Sequence, residues 1–245
     1  TILQFSDDAM DVGLERLRYP HQHADRFQRR LLNAEWVAAQ VSLAARDVTD
    51  VVFVHISMCF GSRKDNLAGK RVWLLPMLMG LSYRQSGEHV TEEYLQEERR
   101  CVMLADRIIT PSHFEKRQLI EGYGAISERV KVIPRGIPAA TSAPVKRPSD
   151  VSLKICSVGS IKPQKNTLGL VKRFSAISKQ HPEARLGVIG PVQNEAYHRL
   201  VLREIDALGL REAVTFYGYV PPESLGATIS EFDIHLTDSL CETFG

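Results

Sequence analysis

The sequence lacks a strong excess of charge of either sign. Its 245 residues include 31 Lys and Arg against 29 Asp and Glu, which gives a formal net charge of +2 at pH 7. Proteins that bind nucleic acids usually have a marked basic excess on one face, so this balance argues against a nucleic-acid partner. The local basic stretch over residues 16–30 is typical of a solvated surface.

Cysteine is scarce, and its spacing matches no common ligand pattern. The four cysteines are Cys59, Cys101, Cys156 and Cys241, and no two of them form a CxxC pair. Zinc sites and disulfide frameworks depend on such pairings, so neither is expected. Buried, reduced thiols in a cytoplasmic protein explain the spacing better.

Long apolar runs are also missing. The most apolar window, residues 72–81, contains Pro76 and is shorter than the ~20 residues that a membrane-spanning helix requires. The sequence has no internal repeat, and because residues 2–5 form a strand-like run, we expect no signal peptide. We therefore expect a cytoplasmic location, with peripheral association with a membrane left open.

The sequence does contain a regular alternation of strand-like and helix-like stretches. In the second half, strand-like runs at residues 154–159, 185–190, 214–220 and 233–238 are separated by helix-like stretches. This βαβ rhythm predicts a doubly wound parallel sheet, in which ligands bind beyond the carboxyl ends of the strands. The residues that follow each strand are therefore the candidates for a binding site.

The first half has the same rhythm. Its strand-like runs lie at residues 51–56, 71–79, 107–110 and 130–133. The apolar periodicity predicts one amphipathic helix over residues 24–46 and another over residues 92–105, and a polar composition predicts a loop over residues 80–94. Ser112 and Glu115 match the S-x-x-E capping box at the start of a further helix.

A change in composition separates the two halves. Residues 138–150 contain three prolines together with Ser, Thr and Lys, which is typical of a linker. We predict an N-terminal domain over residues 1–138, a linker over 139–150 and a C-terminal domain over 151–245.

Several motifs together resemble a known family. The runs VGSIKPQKN from Val158, VTFYGYVPPESL from Val214 and SLCETFG from Ser239 resemble the donor-binding domain of retaining glycosyltransferases of family 4. The upstream runs ADRIITPS and VKVIPRGI extend the resemblance over residues 50–245. The family has the GT-B fold, so the resemblance implies an α/β protein with two Rossmann-like domains that contain parallel sheets. The first would be the acceptor-side domain and the second the donor-binding domain.

The resemblance implies that the donor is a nucleotide diphosphate-sugar. Gly159 stands in the loop that approaches the phosphates, and Lys165 stands where the family has a lysine that adds charge to them. The family usually has an arginine immediately after this glycine, whereas this chain has Ser160, and Lys162 is a candidate to compensate. The alternative for either lysine is a solvated position in a loop.

Further donor-binding candidates follow the later strands and occupy the tail: Gly190, Tyr219, Val220, Ser239, Thr243, Phe244 and Gly245. The backbone amides of the last three would hold the distal phosphate, because the start of a helix offers unsatisfied N–H groups and partial positive charge. Tyr219 would either stack on the base or belong to the core.

Glu242 matches the first glutamate of the E-x7-E motif of the family, where a carboxylate lies close to the donor sugar. It is, with Lys165, the candidate catalytic residue, and the alternative is a helix-terminal glutamate that complements the helix dipole. The second glutamate of the motif would fall beyond Gly245, and the sequence begins at Thr1. We therefore expect a piece of a longer protein, with an incomplete second domain and no activity by itself.

The implied reaction is transfer of a sugar to an acceptor hydroxyl with retention of configuration and with no obligatory metal or other cofactor. The acceptor is a glycan, a lipid-linked molecule or a small molecule. A nicotinamide-dependent dehydrogenase is disfavoured, because neither residues 154–159 nor residues 185–190 are followed by G-x-G-x-x-G. A non-catalytic nucleotide-sugar-binding protein stays open, since Ser160 and Met77 replace an arginine and a histidine that are common in the family.

Overall fold

A computed structural model describes residues 3–5, 15–77, 79–136 and 153–242. These residues form two compact units. The first comprises the residues up to Arg84, His89–Gly136 and Glu242, and the second comprises Gln85–Glu88 and residues 153–241. The predicted linker, residues 139–150, lies outside the described residues.

The first unit alternates strands with helices. Its elements are β1 (Leu3–Phe5), β2 (Glu15–Leu17), α1 (Arg26–Leu32), α2 (Ala34–Ala44), β3 (Asp50–Phe53), β4 (Arg71–Leu74), α3 (Gly80–Gln85), α4 (Glu92–Leu104), β5 (Arg107–Thr110), α5 (His113–Tyr123) and β6 (Val130–Val132). Strands β3, β4, β5 and β6 form one sheet in that order, with all neighbours parallel, and β1 pairs with β2 in a separate parallel pair.

The second unit repeats this architecture with a different strand order. Its elements are β7 (Lys154–Val158), α6 (Thr167–Gln180), β8 (Arg185–Ile189), α7 (Glu195–Ala207), β9 (Val214–Gly218), α8 (Pro222–Ile229) and β10 (Ile234–His235). The sheet has the order β10-β7-β8-β9, and all neighbours are parallel. The predicted α/β class with two parallel sheets is thus confirmed.

Each unit has its own hydrophobic core. In the first, Leu74 and Ile108 from the sheet pack with Leu95 and Leu119 from α4 and α5. In the second, β7 and β8 pack against α6 and α7 through Ile155, Leu186, Phe174 and Val201. All four cysteines are free and buried, as the sequence predicted. Among the described residues, no helix combines the length and the apolar character needed to cross a bilayer.

The single helix predicted over residues 24–46 is wrong, because α1 and α2 meet at Asn33. The buried Asn33 side chain donates from Nδ2 to the carbonyls of His21 and Arg29, at 2.8 and 2.7 Å, and accepts the His21 N–H at 3.0 Å. An asparagine that bonds to backbone groups in this way offers them an alternative to a continuous helix.

The predicted loop over residues 80–94 is also wrong in part, because α3 lies inside it. The Gly80 N–H donates to both carboxylate oxygens of Glu98 at 3.0 and 2.9 Å, and the Leu81 N–H donates to the Tyr123 hydroxyl at 2.9 Å. The orphan amides at the start of this helix are therefore satisfied by α4 and α5, elements distant in sequence.

The capping box at α5 forms only on one side. The Ser112 hydroxyl accepts the Glu115 N–H at 3.2 Å, as predicted. The Glu115 carboxyl, however, turns into the interior and accepts a hydrogen bond from the Thr110 hydroxyl. Its other oxygen, Oε1, is buried without a hydrogen-bond partner among the described residues.

The strand predicted over residues 233–238 is shorter than expected. Only Ile234 and His235 pair with β7, and both are exposed. The Asp233 side chain accepts the Lys154 N–H at 2.8 Å, so a side chain extends the pairing at the start of the strand. The remaining residues up to Asp238 lead into the loop that carries part of the candidate site.

Candidate functional site

The candidate site begins where β7, β8 and β9 end, because their exits stay hydrogen-bonded beyond the strands. The Gly159 N–H donates to the Ile189 carbonyl at 2.8 Å, and the Gly190 N–H donates to the Gly218 carbonyl at 2.8 Å. The three predicted strand exits therefore form one continuous edge. Such an edge of a parallel sheet is where open α/β proteins bind their ligands.

At this edge the backbones of Gly159 and Gly190 lie in close contact. Gly190 has φ +145°, and a Cβ built on it would lie 2.2 Å from the Gly159 carbonyl oxygen. Only glycine allows both this backbone conformation and this approach. The two glycines named by the sequence as candidates are thus brought together.

Lys165 lies against the same edge. It belongs to a short 3₁₀ turn, Pro163–Lys165, and its carbons Cγ, Cδ and Cε lie 3.3 to 3.5 Å from the position of a Cβ on Gly159. The aliphatic part of the side chain therefore runs along the glycine and carries the ammonium group at the strand exit. Ser160 and Lys162 occupy the same loop and are half-buried, as is Lys165.

The helix that follows this loop begins at an unusual residue. Asn166 has φ +48° and ψ +42°, and it is the one non-glycine residue with positive φ in the described part of the chain. Its Oδ1 accepts the Gly169 N–H at 3.2 Å and so caps α6. Asparagine tolerates this left-handed conformation better than most residues. The cap fixes the direction in which the Lys165 loop enters the helix.

The tail after β10 is hydrogen-bonded to the Lys165 loop through Gln164. The Leu240 N–H donates to the Gln164 carbonyl at 2.9 Å, and Gln164 Nε2 donates to the Cys241 carbonyl at 3.3 Å. Gln164 is only 5% exposed, and its Oε1 has no partner among the described residues. Ser239, another sequence candidate, lies half-buried in this tail.

Tyr219 and Val220 follow β9 at the far end of the edge. Tyr219 is 67% exposed, so it is not a core aromatic. Of the two interpretations offered by the sequence, only the one with an accessible ring is compatible with this exposure. Val220 is half-buried.

Glu242 groups with the first unit. There it lines a cavity of about 710 Å³ with Ser112 and His113, which follow β5, with Lys131 of β6 and with Pro134, which follows β6. Thr243, Phe244 and Gly245, whose amides were predicted to hold a phosphate, lie outside the described residues.

In the first unit, His55 follows β3, and the charges of two arginines of α1, Arg26 and Arg30, act on it. His55 Nδ1 accepts the Ser57 N–H at 3.1 Å. Burial, together with the positive charges of Arg30 and Arg26, lowers the pKa of His55 to about 3. The ring is therefore neutral near pH 7, and because Nδ1 is an acceptor, the proton is on Nε2. The result is a hydrogen-bond donor in a positively charged environment.

Met77 stands where the family that the sequence resembles commonly has a histidine, and it too faces an arginine. Arg135 Nη2 lies 2.8 Å from the Met77 sulfur. A thioether is a weak acceptor and cannot hydrogen-bond a sugar hydroxyl as an imidazole does.

Sequence reasoning missed three residues of the second unit that the structure joins to the site. These are Gln164, Arg173 and Asp238. A usable signal was Gly169, a glycine in the first turn of a helix, since glycine is unfavourable there unless another group approaches closely. Within the described ranges, no group of three His, Cys, Asp or Glu side chains is placed to hold a metal ion.

Comparisons with known proteins cover nearly the whole chain. Residues 12–141 match the family model Glycosyltransferase Family 4, and residues 142–245 match Glycosyl transferases group 1. The chain is 28% identical over 222 residues to a D-inositol 3-phosphate glycosyltransferase of Nocardia farcinica, covering 86% of this chain and 46% of that protein. It thus spans about half the length of the curated relatives it matches.

Solved structures share the fold. A sucrose-phosphate synthase from Thermosynechococcus elongatus superposes with a TM-score of 0.73 at 19% identity, over 94% of this chain and 61% of that chain. Anabaena HepE, solved in complex with UDP and glucose, superposes with a TM-score of 0.70 at 16% identity, over 95% and 62%.

Proposed function

Because the chain belongs to glycosyltransferase family 4, we propose that the protein transfers a sugar from a nucleotide diphosphate-sugar to an acceptor hydroxyl, with the anomeric configuration retained. Its two units, each with a parallel sheet, have the GT-B architecture. The observation that carries the proposal is the packing of Lys165 and Gly190 on Gly159. It combines a lysine with closely approaching backbones at the edge where parallel sheets bind ligands.

The second unit would hold the donor. Lys165 and Lys162 supply positive charge to the diphosphate, and the backbone around Gly159 approaches it closely enough for hydrogen bonds. The amides of the tail residues Thr243, Phe244 and Gly245 add further donors. Together these groups replace the arginine that the family usually has where this chain has Ser160.

The nucleoside part of the donor would lie beyond β8 and β9. The accessible ring of Tyr219 offers a face for stacking on the base, and Gly190 and Val220 line the ribose. UDP is a reasonable first ligand to test, because HepE was solved with UDP and glucose.

The transfer itself needs few protein groups. The acceptor oxygen forms a bond to the anomeric carbon on the face from which the diphosphate leaves, and the bond between that carbon and the diphosphate oxygen breaks. A diphosphate oxygen takes the proton of the acceptor hydroxyl. Glu242 stabilises the positive charge that develops on the sugar. The charges of Lys165 and Lys162 on the leaving diphosphate perform the role that a metal has in other transferases, so no metal is required.

We infer that the acceptor is a small phosphorylated polyol. The Nocardia relative is named for D-inositol 3-phosphate, and the Thermosynechococcus structure is a sucrose-phosphate synthase. In the first unit, the charges of Arg30 and Arg26 near His55 suit an anionic acceptor.

The free, buried cysteines are consistent with a location in the reducing cytoplasm, where nucleotide-sugars are made.

Calorimetry with UDP, GDP and ADP tests the donor site. We expect one of them to bind and Lys165→Ala to weaken it by about 1 to 3 kcal/mol, because a charge-assisted interaction is lost. Lys179→Ala, at an exposed position near the end of α6, is the matched control and should leave the affinity unchanged. If Lys165→Ala binds as tightly as the parent, Lys165 does not belong to the site.

Kinetics in the full-length protein test the chemistry. Glu242→Ala should lower kcat much more than it changes donor affinity, because the carboxylate acts on charge that develops only in the transition state. Equal losses in both would make Glu242 a structural residue. Donor binding without hydrolysis or transfer would favour a non-catalytic nucleotide-sugar-binding protein, for which the replacements at Ser160 and Met77 are the supporting observations.

A matched pair of acceptors tests the phosphate. Arg30→Met should lower kcat/KM with D-inositol 3-phosphate and leave the much weaker reaction with inositol unchanged. An equal loss with both acceptors would place Arg30 outside the phosphate site.

A further inference from the structure

Lys165 is fixed to the tail from both sides. On one side, Gln164 bonds to the tail backbone as described above. On the other side, Asn166 Nδ2 donates to Asp238 Oδ2 at 3.0 Å. The residues on either side of the lysine are therefore hydrogen-bonded to the segment that leads to Glu242.

The carboxylate of Asp238 is covered and fully engaged. Its side chain is 15% exposed, and Oδ1 accepts a hydrogen bond from Arg173 Nε at 2.8 Å. A Cβ on Gly169 would lie 2.5 Å from Asp238 Oδ2 and 2.3 Å from Asn166 Nδ2. Because Gly169 has no side chain, there is room for the Asn166–Asp238 hydrogen bond. Glycine at this position makes the helix less stable than alanine would.

We propose that Asp238 is a positioning residue for sugar transfer, which acts through Asn166 to hold Lys165 against the diphosphate of the donor. The inference rests on the proposed function. In this role Asp238 acts through Asn166 and not by contact with the donor. Its contribution is to order the loop before the ligand arrives, so that less conformational entropy is lost on binding.

The variant Asp238→Asn distinguishes this positioning role from a direct electrostatic effect of the Asp238 charge on the diphosphate. Asp238→Asn removes a negative charge near the diphosphate, so electrostatics alone predicts tighter binding. Positioning predicts the reverse, because an amide at this place cannot accept hydrogen bonds from both Asn166 and Arg173. We expect the dissociation constant of the nucleoside diphosphate to rise by about threefold to tenfold.

A reciprocal exchange provides the rescue. In Asn166→Asp/Asp238→Asn the carboxylate and the amide trade places, and the net charge is that of the parent. The carboxylate at position 166 can still accept the Gly169 N–H and now accepts from the amide at position 238, whose oxygen still accepts from Arg173. We expect the affinity to return to within about twofold of the parent.

Repeating these measurements on Lys165→Ala tests whether the effect passes through the lysine. With the lysine removed, Asp238→Asn should no longer weaken binding. Equal weakening in both backgrounds, or no recovery in the reciprocal exchange, overturns the proposal. Melting temperatures show whether each variant is folded. If Asp238→Asn is not, Asp238→Glu takes its place; because it keeps the charge and displaces the carboxylate, electrostatics alone then predicts unchanged affinity and positioning predicts weaker binding. A parent protein that binds none of UDP, GDP and ADP contradicts the proposed function instead.

Discussion

At the scale of single residues, two carboxyl groups in the first unit are buried, and burial makes their ionised forms less favourable. Burial raises the pKa of Glu115 to about 7, although a hydrogen bond from Thr110 opposes the shift, and burial raises the pKa of Glu98 to about 7 as well. Glu98 accepts hydrogen bonds from Gly80 and Tyr123, whereas Glu115 leaves one oxygen unpartnered among the described residues. Glu115 is therefore the cleaner probe of this effect.

The raised pKa of Glu115 predicts a loss of stability with increasing pH. Its folded-state pKa lies above the ordinary value of 4.5, so the folded protein binds more protons than the unfolded chain between about pH 4.5 and 7. The free energy of unfolding should fall across this window, by on the order of 3 kcal/mol for this group. Glu115→Gln should flatten the dependence, whereas Glu121→Gln, exposed on the same helix, should not. Denaturant titrations from pH 5 to 8 measure both slopes.

A second prediction at this scale concerns Gly190. Gly190→Ala places a Cβ against the Gly159 carbonyl, so we expect the strand exits to separate and nucleoside diphosphate affinity to fall by about tenfold or more. Gly209→Ala is the matched control, since Gly209 also has positive φ but has open space around it. Calorimetry compares the two variants. Similar affinities would show that the close approach is not needed for binding.

At the scale of elements, two glycines on helices should respond in opposite directions to the same substitution. Gly124 ends α5 with φ +74°, and Gly226 lies inside α8 with helical backbone; neither has a neighbour near an added Cβ. Gly124→Ala should cost about 1 kcal/mol, because alanine is strained in the left-handed region. Gly226→Ala should stabilise by about 0.5 to 1 kcal/mol. Chemical denaturation measures both, and a loss at Gly226 would contradict the expectation.

The helices also show which elements local sequence patterns can predict and which they cannot. Helix α6 and its cap at Asn166 were predictable, because propensity, capping and apolar spacing all lie within one stretch of sequence. Helix α3 was not, since its first amides are satisfied by Glu98 and Tyr123 from distant helices. The break at Asn33 likewise depends on a carbonyl twelve residues away. Local sequence cannot report such partners.

The candidate site likewise contains residues that the sequence could predict and residues that it could not. Glycines and lysines after strands are visible from the βαβ rhythm, which is why Gly159, Gly190 and Lys165 could be named in advance. Asp238 and Arg173 could not, because their hydrogen bond joins a loop and a helix separated by 65 residues. No period or motif in the sequence connects these two positions.

At the scale of the whole molecule, the two separate cores predict that a core substitution in one unit destabilises that unit and not the other. Leu119 and Phe174 are both fully buried, one in each core. Leu119→Ala should destabilise the first unit by about 2 to 5 kcal/mol and leave nucleoside diphosphate affinity unchanged, whereas Phe174→Ala should destabilise the second by about 3 to 5 kcal/mol. Calorimetric scans with and without nucleotide distinguish the units. A ligand-induced rise in melting temperature that is lost equally in both variants would argue against independent cores.

The strand order of the second sheet has a consequence for synthesis on the ribosome. The first sheet adds its strands in the order in which they are made, but β7 must wait for β10, and the Lys154–Asp233 hydrogen bond spans 79 residues. At 5 to 20 residues per second, that interval lasts roughly 4 to 16 s. During this time one edge of the nascent sheet stays open, and such an edge is a place where chaperones or neighbouring chains can attach.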